Sequence, residues 1–529
     1  MSFDHWSFYW IVVLLILYVL ALPRPGRFAS LLPLAYLWTA EVRLGLSWSG
    51  FKLLAVFYVL SVLTSGTRFS RQSLPFAQLL VIVCSYVLAV SGYGLANAPA
   101  DIPFLHLLAT DAQRPPYRQL LQILLWLAGL LALFISFWAI RSAQDFSRVL
   151  KVIFWSAAIV SSVSILIVVS SVAAPSLARV LGLFLSYPQS VYSSGLRLRL
   201  APFSFEPRYY GRAMGIIACL ALLCRVFPIS GLPRWVIRTG VAEIVLLLGL
   251  LSASVTAAGS AILGFVTITA WLLATSRERR SSRGFPTSHP ASSIFQRRTV
   301  ERLVAPDRGV LVTAKSRSLV GMIVIGISVF ALLWASRLSN ERSLIEERSL
   351  EYLSLSGIQI EGSQIYISQS DSVDTSWNAY VNWLSAEPFY LVFGAGLGNP
   401  AFRAYWYLPE GSLVARIGLL STRLPLVEAI GAYGLIGNAL VFALFALWFG
   451  HLGRAAYNMS TEDYNATQIC RGMMLFLLPA MVFHDTLPFA WFFAGIGLGI
   501  YSGYVRNPVA STTNRSLPHR VFPAVRYGR

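Results

Sequence analysis

Charge is scarce in this sequence. Only 12% of its 529 residues are Asp, Glu, Lys or Arg, while 56% are hydrophobic. A water-soluble chain of this length needs far more polar surface, because surface grows nearly as fast as mass. Cysteine is scarcer still: Cys84, Cys219, Cys224 and Cys470 all fall in or beside apolar runs. Neither a disulfide framework nor a zinc site is indicated by that pattern. Acids are outnumbered, 23 Asp or Glu against 42 Lys or Arg, but the excess positive charge sits in short loops and in the C-terminal segment. In a membrane chain this distribution is an orientation signal that meets anionic lipid headgroups, so nucleic acid is not an expected partner. A basic leader before the first apolar run is also missing. Asp4 and His5 precede that run, so a retained helix is expected there.

What the sequence does have is long apolar runs, the signature of a polytopic helical membrane protein. Its 15 Trp and 23 Tyr suit two membrane interfaces. Runs fall near 7–22, 29–45, 49–66, 76–95, 119–140 and 149–172. A second series follows near 209–228, 236–253, 256–274, 319–336, 425–449, 470–484 and 487–504. The expectation is an all-α integral membrane protein of roughly 12 to 14 transmembrane helices. Residues 1–275 hold the N-terminal helices, 276–318 a basic loop, 319–336 one further span, 337–424 a long loop, 425–504 the C-terminal helices and 505–529 a basic tail.

The basic segments set the expected orientation. Arg277, Arg279, Arg280, Arg283, Arg297 and Arg298 crowd the 276–318 loop, and the tail carries Arg506, Arg515, Arg520, Arg526 and Arg529 without an acid. Both are expected in the cytoplasm. Alternating from them puts the turns at Arg24/Arg27, Arg68/Arg71, Arg141/Arg148/Lys151 and Arg234/Arg238 on the same side. The loops 97–118, 173–208 and 337–424 and the His484–Asp485 turn then face outward. The 337–424 loop has Trp377, Trp383, Trp406 and many acids, so it reads as a folded cap, with an amphipathic surface helix around 340–355. No internal repeat is visible, which argues against a transporter of duplicated halves.

Three stretches carry chemistry. The first is FSFEPRYYGRAMG, residues 203–215. Pro207 suits a first helical turn, which puts Glu206 at the N-cap region. Arg208, Gly211, Arg212 and Gly215 recur at spacings of three and four, hence on one helical stripe. Arginine at a helix start opposes the macrodipole, a conflict that an anionic ligand shared with the helix N-terminus would remove. Arg197 and Arg199 add to the same patch. The plainer alternative is arginines snorkelling to headgroups and glycines allowing close helix packing.

The second stretch is LVFGAGLGNPAFRAYWYLPEG, residues 391–411. GAGLGN fits either a glycine turn whose backbone approaches a ligand or a loop re-entering the membrane. Arg403, Arg416 and Arg423 follow, then RLPLVEAIGAYGLIG, in which Glu428 enters a helix with Gly431, Gly434 and Gly437. An ionised group inside a span costs about 2.5–3.5 kcal/mol on insertion scales, so Glu428 is expected to face a partner or a wet cavity. A structural ion pair with Arg423 is the alternative. The third stretch is His484–Asp485 in a short outer turn, where polar residues serve the turn itself or catalysis.

In their order along the chain, these elements resemble the O-antigen polymerase and ligase superfamily, which includes the Wzy-type polymerases. The resemblance rests on arginines then F-x-E-P at the outer start of a mid-chain helix and on the small-residue span LSASVTAAGSAILGF. It continues with GAGLGN in a long outer loop, E-x-x-G-x-x-G opening the next helix and a His–Asp turn, covering roughly residues 197–500. Each motif is short; their order and common face give the specificity.

The resemblance implies a GT-C-like membrane glycosyltransferase of the bacterial inner membrane. It would act at the periplasmic face on undecaprenyl-pyrophosphate-linked oligosaccharides for exopolysaccharide, capsule or O-antigen, with the C-terminus in the cytoplasm. A saccharide would leave its lipid pyrophosphate for a sugar hydroxyl of a second lipid-linked unit. Arg208 and Arg212, with Arg197 and Arg199, would hold pyrophosphate, Arg403 and Arg416 the other substrate, and Glu206, Glu428 or His484 would be the base. Membrane lipids, chain-length regulators and export proteins would be partners, with no metal and no cofactor. The superfamily's ligases are associated with a histidine in the large outer loop. This chain has no histidine between 337 and 424, which favours polymerase over ligase. A lipid-linked oligosaccharide flippase is the competing class.

Overall fold

The computed structural model describes residues 5–38, 41–44, 46–65, 74–97, 117–173, 207–237, 240–250, 255–281, 373–408, 425–456, 459–482 and 486–506. The N-terminal half contains helices α1 (His5–Ala21), α2 (Phe28–Leu37), α3 (Gly50–Ser65), α4 (Ala77–Ala96), α5 (Tyr117–Ala139) and α6 (Ala143–Ala173). After them come α7 (Pro207–Val226), α8 (Arg234–Ile237), α9 (Val241–Leu250) and α10 (Val255–Ser281). Three short helices follow, α11 (Val373–Ala386), α12 (Pro388–Phe393) and α13 (Pro400–Ala404). The last are α14 (Pro425–Ala456), α15 (Thr461–Ala480) and α16 (Leu487–Arg506).

Among the described residues, six helices are long and apolar enough to cross a membrane: α4, α5, α6, α7, α10 and α14. Apolar helices in α1, α3 and α9 are shorter. Helices satisfy their own backbone in hydrocarbon, which is why such a chain takes this form. The protein is a helical, multi-pass membrane protein.

The run at 29–45 is not one span. Helix α2 ends at Leu37, and an antiparallel hairpin follows, β1 (Glu41–Leu44) against β2 (Leu46–Ser49), pairing Glu41 with Ser49 and Val42 with Trp48. Glu41 and Arg43 would be costly within a continuous hydrocarbon-spanning helix, and the hairpin ends the helix before them. Helix α15 starts at Thr461, nine residues before the apolar run expected at 470–484. Ser460 caps it, its Oγ accepting from the Asp463 N–H, which lets the acids Glu462 and Asp463 enter the first turn.

Helix α7 is the central post: 89% of its apolar stretch is buried, against 28% for α4. Helix α9 packs on it through Gly249, where a Cβ would come within 2.8 Å of Met214 Cβ. The small-residue span now placed in α10 packs against α7 and α15, with Gly264 under the Phe476 ring. Helix α16 lies along α5 nearly backbone to backbone. A Cβ on Gly495, Gly499 or Gly503 would collide with Leu133, Ile140 or Arg141 carbonyl oxygens in turn. This four-residue glycine spacing lets two helices approach to dispersion contact where lipid offers no hydrophobic drive.

The bundle has two distinct ends. At one, the basic end, Arg141 Nη1 donates to Ser502 Oγ (3.1 Å), and Asp463 Oδ1 accepts from the first N–H of α6 at Ala143 (2.9 Å). Arg225 at the end of α7 forms a two-pronged pair with Glu243 of α9 (3.2 and 3.4 Å), and Glu243 also accepts from Gly240 N–H. The other end, the cap end, carries α11–α13, the C-terminus of α4 and the first turns of α5 and α14. The turns at Arg141/Arg148/Lys151 and Arg234 share the basic end, as alternation of spans requires. The loop expected from 276 begins later, since α10 continues through Ser281. Residues 282–318, the span 319–336, the surface helix at 340–355 and the tail from 507 lie outside the described residues.

Candidate functional site at the glycine-broken helix

The cap end is organised by a break in α14. Gly434 has φ 66° and ψ −178°, a conformation open to glycine, and a Cβ there would collide with the Val392 and Phe393 backbone. The break strips the first half-helix of its C-terminal acceptance partners. The turn between α12 and α13 replaces them: Ala395 and Gly396 N–H groups donate to the Gly431 and Ala432 carbonyls, both at 2.8 Å. Asn438 Nδ2 donates to Gly434 O (2.7 Å) and Ala429 O (3.1 Å).

The other side of that turn grips α4 and α5. Tyr86 hydroxyl donates to Phe393 O (2.9 Å), Leu397 N–H to Ser91 Oγ (3.2 Å) and Asn399 Nδ2 to Gly94 O (3.2 Å). Gly394, Gly396 and Gly398 all have positive φ, and a Cβ on Gly398 would lie 3.0 Å from Gln119 Cα. The glycines of GAGLGN therefore bring backbone to backbone, and Gly431 and Gly434 are their receiving partners. A Cβ on Gly431 would come within 3.1 Å of Trp383.

Polar side chains gather around this turn. Asn399 opens α13 and Arg403 follows one turn later, its Nη2 donating to Asn97 O (2.8 Å) and its guanidinium 5.3 Å from the Tyr390 ring centroid. Arg118, in the first turn of α5, lies 5.2 Å over the Phe402 ring. Glu428 sits in the first turn of α14, where the helix dipole favours a carboxylate. Tyr380 of α11, buried at 2% exposure, is within electrostatic reach of both. Burial raises its phenol pKa, the Glu428 charge raises it further, and Arg118 lowers it.

Among the described residues, several buried polar atoms at the turn make no hydrogen bond. They are both amide atoms of the fully buried Gln119, Oδ1 of Asn399 and Nε of Arg403. Each such atom costs about 1–3 kcal/mol relative to a satisfied one. A group of them in one place is better suited to receiving a polar ligand or water than to stability.

Arg212 lies elsewhere. It is 5% exposed, with its guanidinium 4.7 Å from the Tyr36 ring centroid and 4.9 Å from that of Tyr209, and Nη2 reaches Tyr36 O at 3.4 Å. Tyr36 stacks on Phe489 (4.8 Å), whose neighbour Pro488 packs on Gly129 of α5. Gly129 is eleven residues beyond Arg118 on α5, so this level is roughly 16 Å along α5 from Arg118 at about 1.5 Å per residue. The stripe 208–215 divides accordingly. A Cβ on Gly249 of α9 would lie 3.4 Å from Gly211 O, and one on Gly215 would lie 3.6 Å from Ala261 Cβ of α10. This side of α7 therefore serves helix packing, while Arg212 turns to α2.

Helix α7 does begin at Pro207, with Arg208 in its first turn. The structure thus puts Arg403 and Glu428 in one region, on elements joined where Pro400 meets Gly431, and Arg212 in another. Arg197, Arg199, Glu206, Arg416, Arg423 and His484 lie outside the described residues. Sequence reading missed Arg118, Gln119 and Tyr380. The signal for the first two was Pro115–Pro116 followed by Arg118 and Gln119 at the mouth of an apolar run; Tyr380 has no local signal. Among the described residues, no three of His, Cys, Asp or Glu lie close enough together to hold a metal ion. Comparison with known proteins gives no matching family model and no significant relative among curated proteins.

Proposed function

We propose that this chain is a polymerase-type membrane glycosyltransferase acting on undecaprenyl-pyrophosphate-linked repeat units at the periplasmic face of the bacterial inner membrane. The observation that carries the reading is the cluster at the glycine-broken helix. Glu428 lies there with Arg118, Arg403 and Tyr380, among buried polar atoms that have no protein partner. A carboxylate and guanidiniums gathered at one turn suit a reaction between a sugar hydroxyl and a departing multivalent anion.

In this reading the acceptor hydroxyl oxygen attacks the anomeric carbon of the donor saccharide. The bond from that carbon to the pyrophosphate oxygen breaks, the electron pair leaves with the pyrophosphate, and the hydroxyl proton passes to Glu428. Glu206 and His484 are the other candidates for that base. Arg403, with Arg416, holds one substrate. Arg208 and Arg212, with Arg197 and Arg199, hold the pyrophosphate of the other. Arg212 at one level of the bundle and Arg118 with Arg403 at another support a reaction that handles two lipid-linked substrates. The products serve exopolysaccharide, capsule or O-antigen assembly, with chain-length regulators and export proteins as partners.

The test is Glu428→Gln in a producing cell, followed by surface glycan length and lipid-linked intermediates. Loss of long polymer by at least 100-fold, with lipid-linked single repeats accumulating on the periplasmic side at normal protein level, is expected. Unchanged polymer length sinks the assignment. Repeats trapped on the cytoplasmic side would identify a flippase instead, and normal free polymer that is not joined to its final acceptor would identify a ligase.

A further inference from the structure

An apolar cavity of about 120 Å³ lies at the basic end between α6, α7, α8 and α9. Ala157, Ile217 and Ala221 form its buried wall, and Ile244, 53% exposed, brings it to the perimeter of the bundle. Among the described residues, Ser161 is the single residue of its lining with a polar side chain other than the Trp235 indole, and Ser161 Oγ makes no hydrogen bond there. Water in a cavity needs two to four polar partners, whereas an engineered apolar cavity of about 150 Å³ stays dry and takes up benzene. The chemistry of the lining therefore selects a hydrocarbon group, and at the perimeter of a membrane protein that group is a lipid chain.

The approach to the cavity supplies the second half of a lipid site. On α6, Lys151, Trp155 and Ala158 recur at spacings of four and three, hence on one side of the helix. Lys151 Nζ lies beside Gly231, 3.6 Å from where its Cβ would stand. Trp155, 57% exposed, meets Trp235 edge to face at 5.9 Å, and exposed Arg234 opens α8 beside them. Arg148 is paired with Asp145 at 3.2 Å. Among the described residues, Lys151 and Arg234 have no such carboxylate. From Lys151 to Ser161, α6 rises about 15 Å, half the hydrocarbon thickness of a bilayer.

We propose that α6, α8 and α9 form a binding site for one anionic phospholipid of the leaflet at the basic end. Its phosphate lies at Lys151 and Arg234, the Trp155–Trp235 pair lies at the level of the glycerol, and one acyl chain fills the cavity down to Ser161. Aromatic rings at the interface and basic residues between helices are the recognised means of holding such a headgroup. The site is at the opposite end of the bundle from Glu428 and Arg403 and stands whether or not the glycosyltransferase reading does.

The test is native mass spectrometry of the full-length protein in detergent, with phosphatidylglycerol or phosphatidylcholine added. The wild type is expected to retain one phosphatidylglycerol with at least tenfold preference over phosphatidylcholine. Ala158→Leu with Ser161→Leu, which fills the cavity, should lower that retention at least tenfold. Lys151→Gln with Arg234→Gln, both away from the core, should keep one lipid but lose the preference. Equal retention of the two lipids by the wild type overturns the proposal, as does preference unchanged in the Lys151/Arg234 variant. Undiminished retention in a folded cavity-filled variant overturns it too.

Discussion

Arg225 and Arg148 of the basic end are held differently from Arg403 and Arg118 of the cap end, although Arg141 at the basic end also lies over a ring (Phe137, 4.9 Å) and reaches a carbonyl (Trp138 O, 3.2 Å). At the basic end Arg225 is neutralised by both oxygens of Glu243, Arg148 by Asp145, and Asp463 is spent on two helix starts. At the cap end Arg403 reaches a carbonyl and a tyrosine ring, and Arg118 lies over Phe402. Rings and carbonyls hold a guanidinium in place without cancelling its charge as a carboxylate does. The first arrangement fastens helices, and the second leaves the positive charge unneutralised by a carboxylate among the described residues, as the proposed binding role requires. The same residue type is thus structural or poised for binding according to its neighbour.

Variants can break this contrast. The largest effect is expected from Gly434→Val. The positive φ alone costs about 1–3 kcal/mol for a residue with a side chain, and the new Cβ meets the Val392 backbone. The cap turn should detach from α14, read as new protease cleavage within 388–408 and loss of activity. Cleavage unchanged from the wild type would mean the turn is held mainly by α4 and α5.

Arg403→Ala comes next. It should lower polymer formation by roughly 10- to 100-fold, the worth of one or two charge-assisted contacts to an anion, with the melting temperature in detergent nearly unchanged. A fall in stability without a fall in activity would make Arg403 another fastener. The smallest effect on activity is expected at Arg225→Ala. Glu243 then loses its partner while mostly buried, a loss of about 1–3 kcal/mol when scaled down from a fully buried pair. Thermal melting should show it, and Arg225→Met with Glu243→Leu should recover most of it. A large activity loss in the double variant would erase the distinction between the ends.

Apolar run length made the membrane class and most helices legible, because backbone in hydrocarbon leaves few alternatives. Helix α6 and the start of α7 at Pro207 lie where pattern puts them. The hairpin at 41–49 was not legible, since strand pairing there depends on neighbours in space rather than on period. Local spacing identified the glycines of GAGLGN and E-x-x-G-x-x-G as special but not what they approach, which is supplied by helices some 300 residues earlier. For the same reason Glu428 and Arg403 could be named from sequence, and Tyr380 could not.

That long reach has a consequence for synthesis. The cap turn is bonded to α4, α5 and α14, and α14 is made after the turn itself. A nascent chain can complete the cluster around Glu428 only once α14 (Pro425–Ala456) has been made. In the proposed reading, a copy terminated before α14 lacks the site altogether.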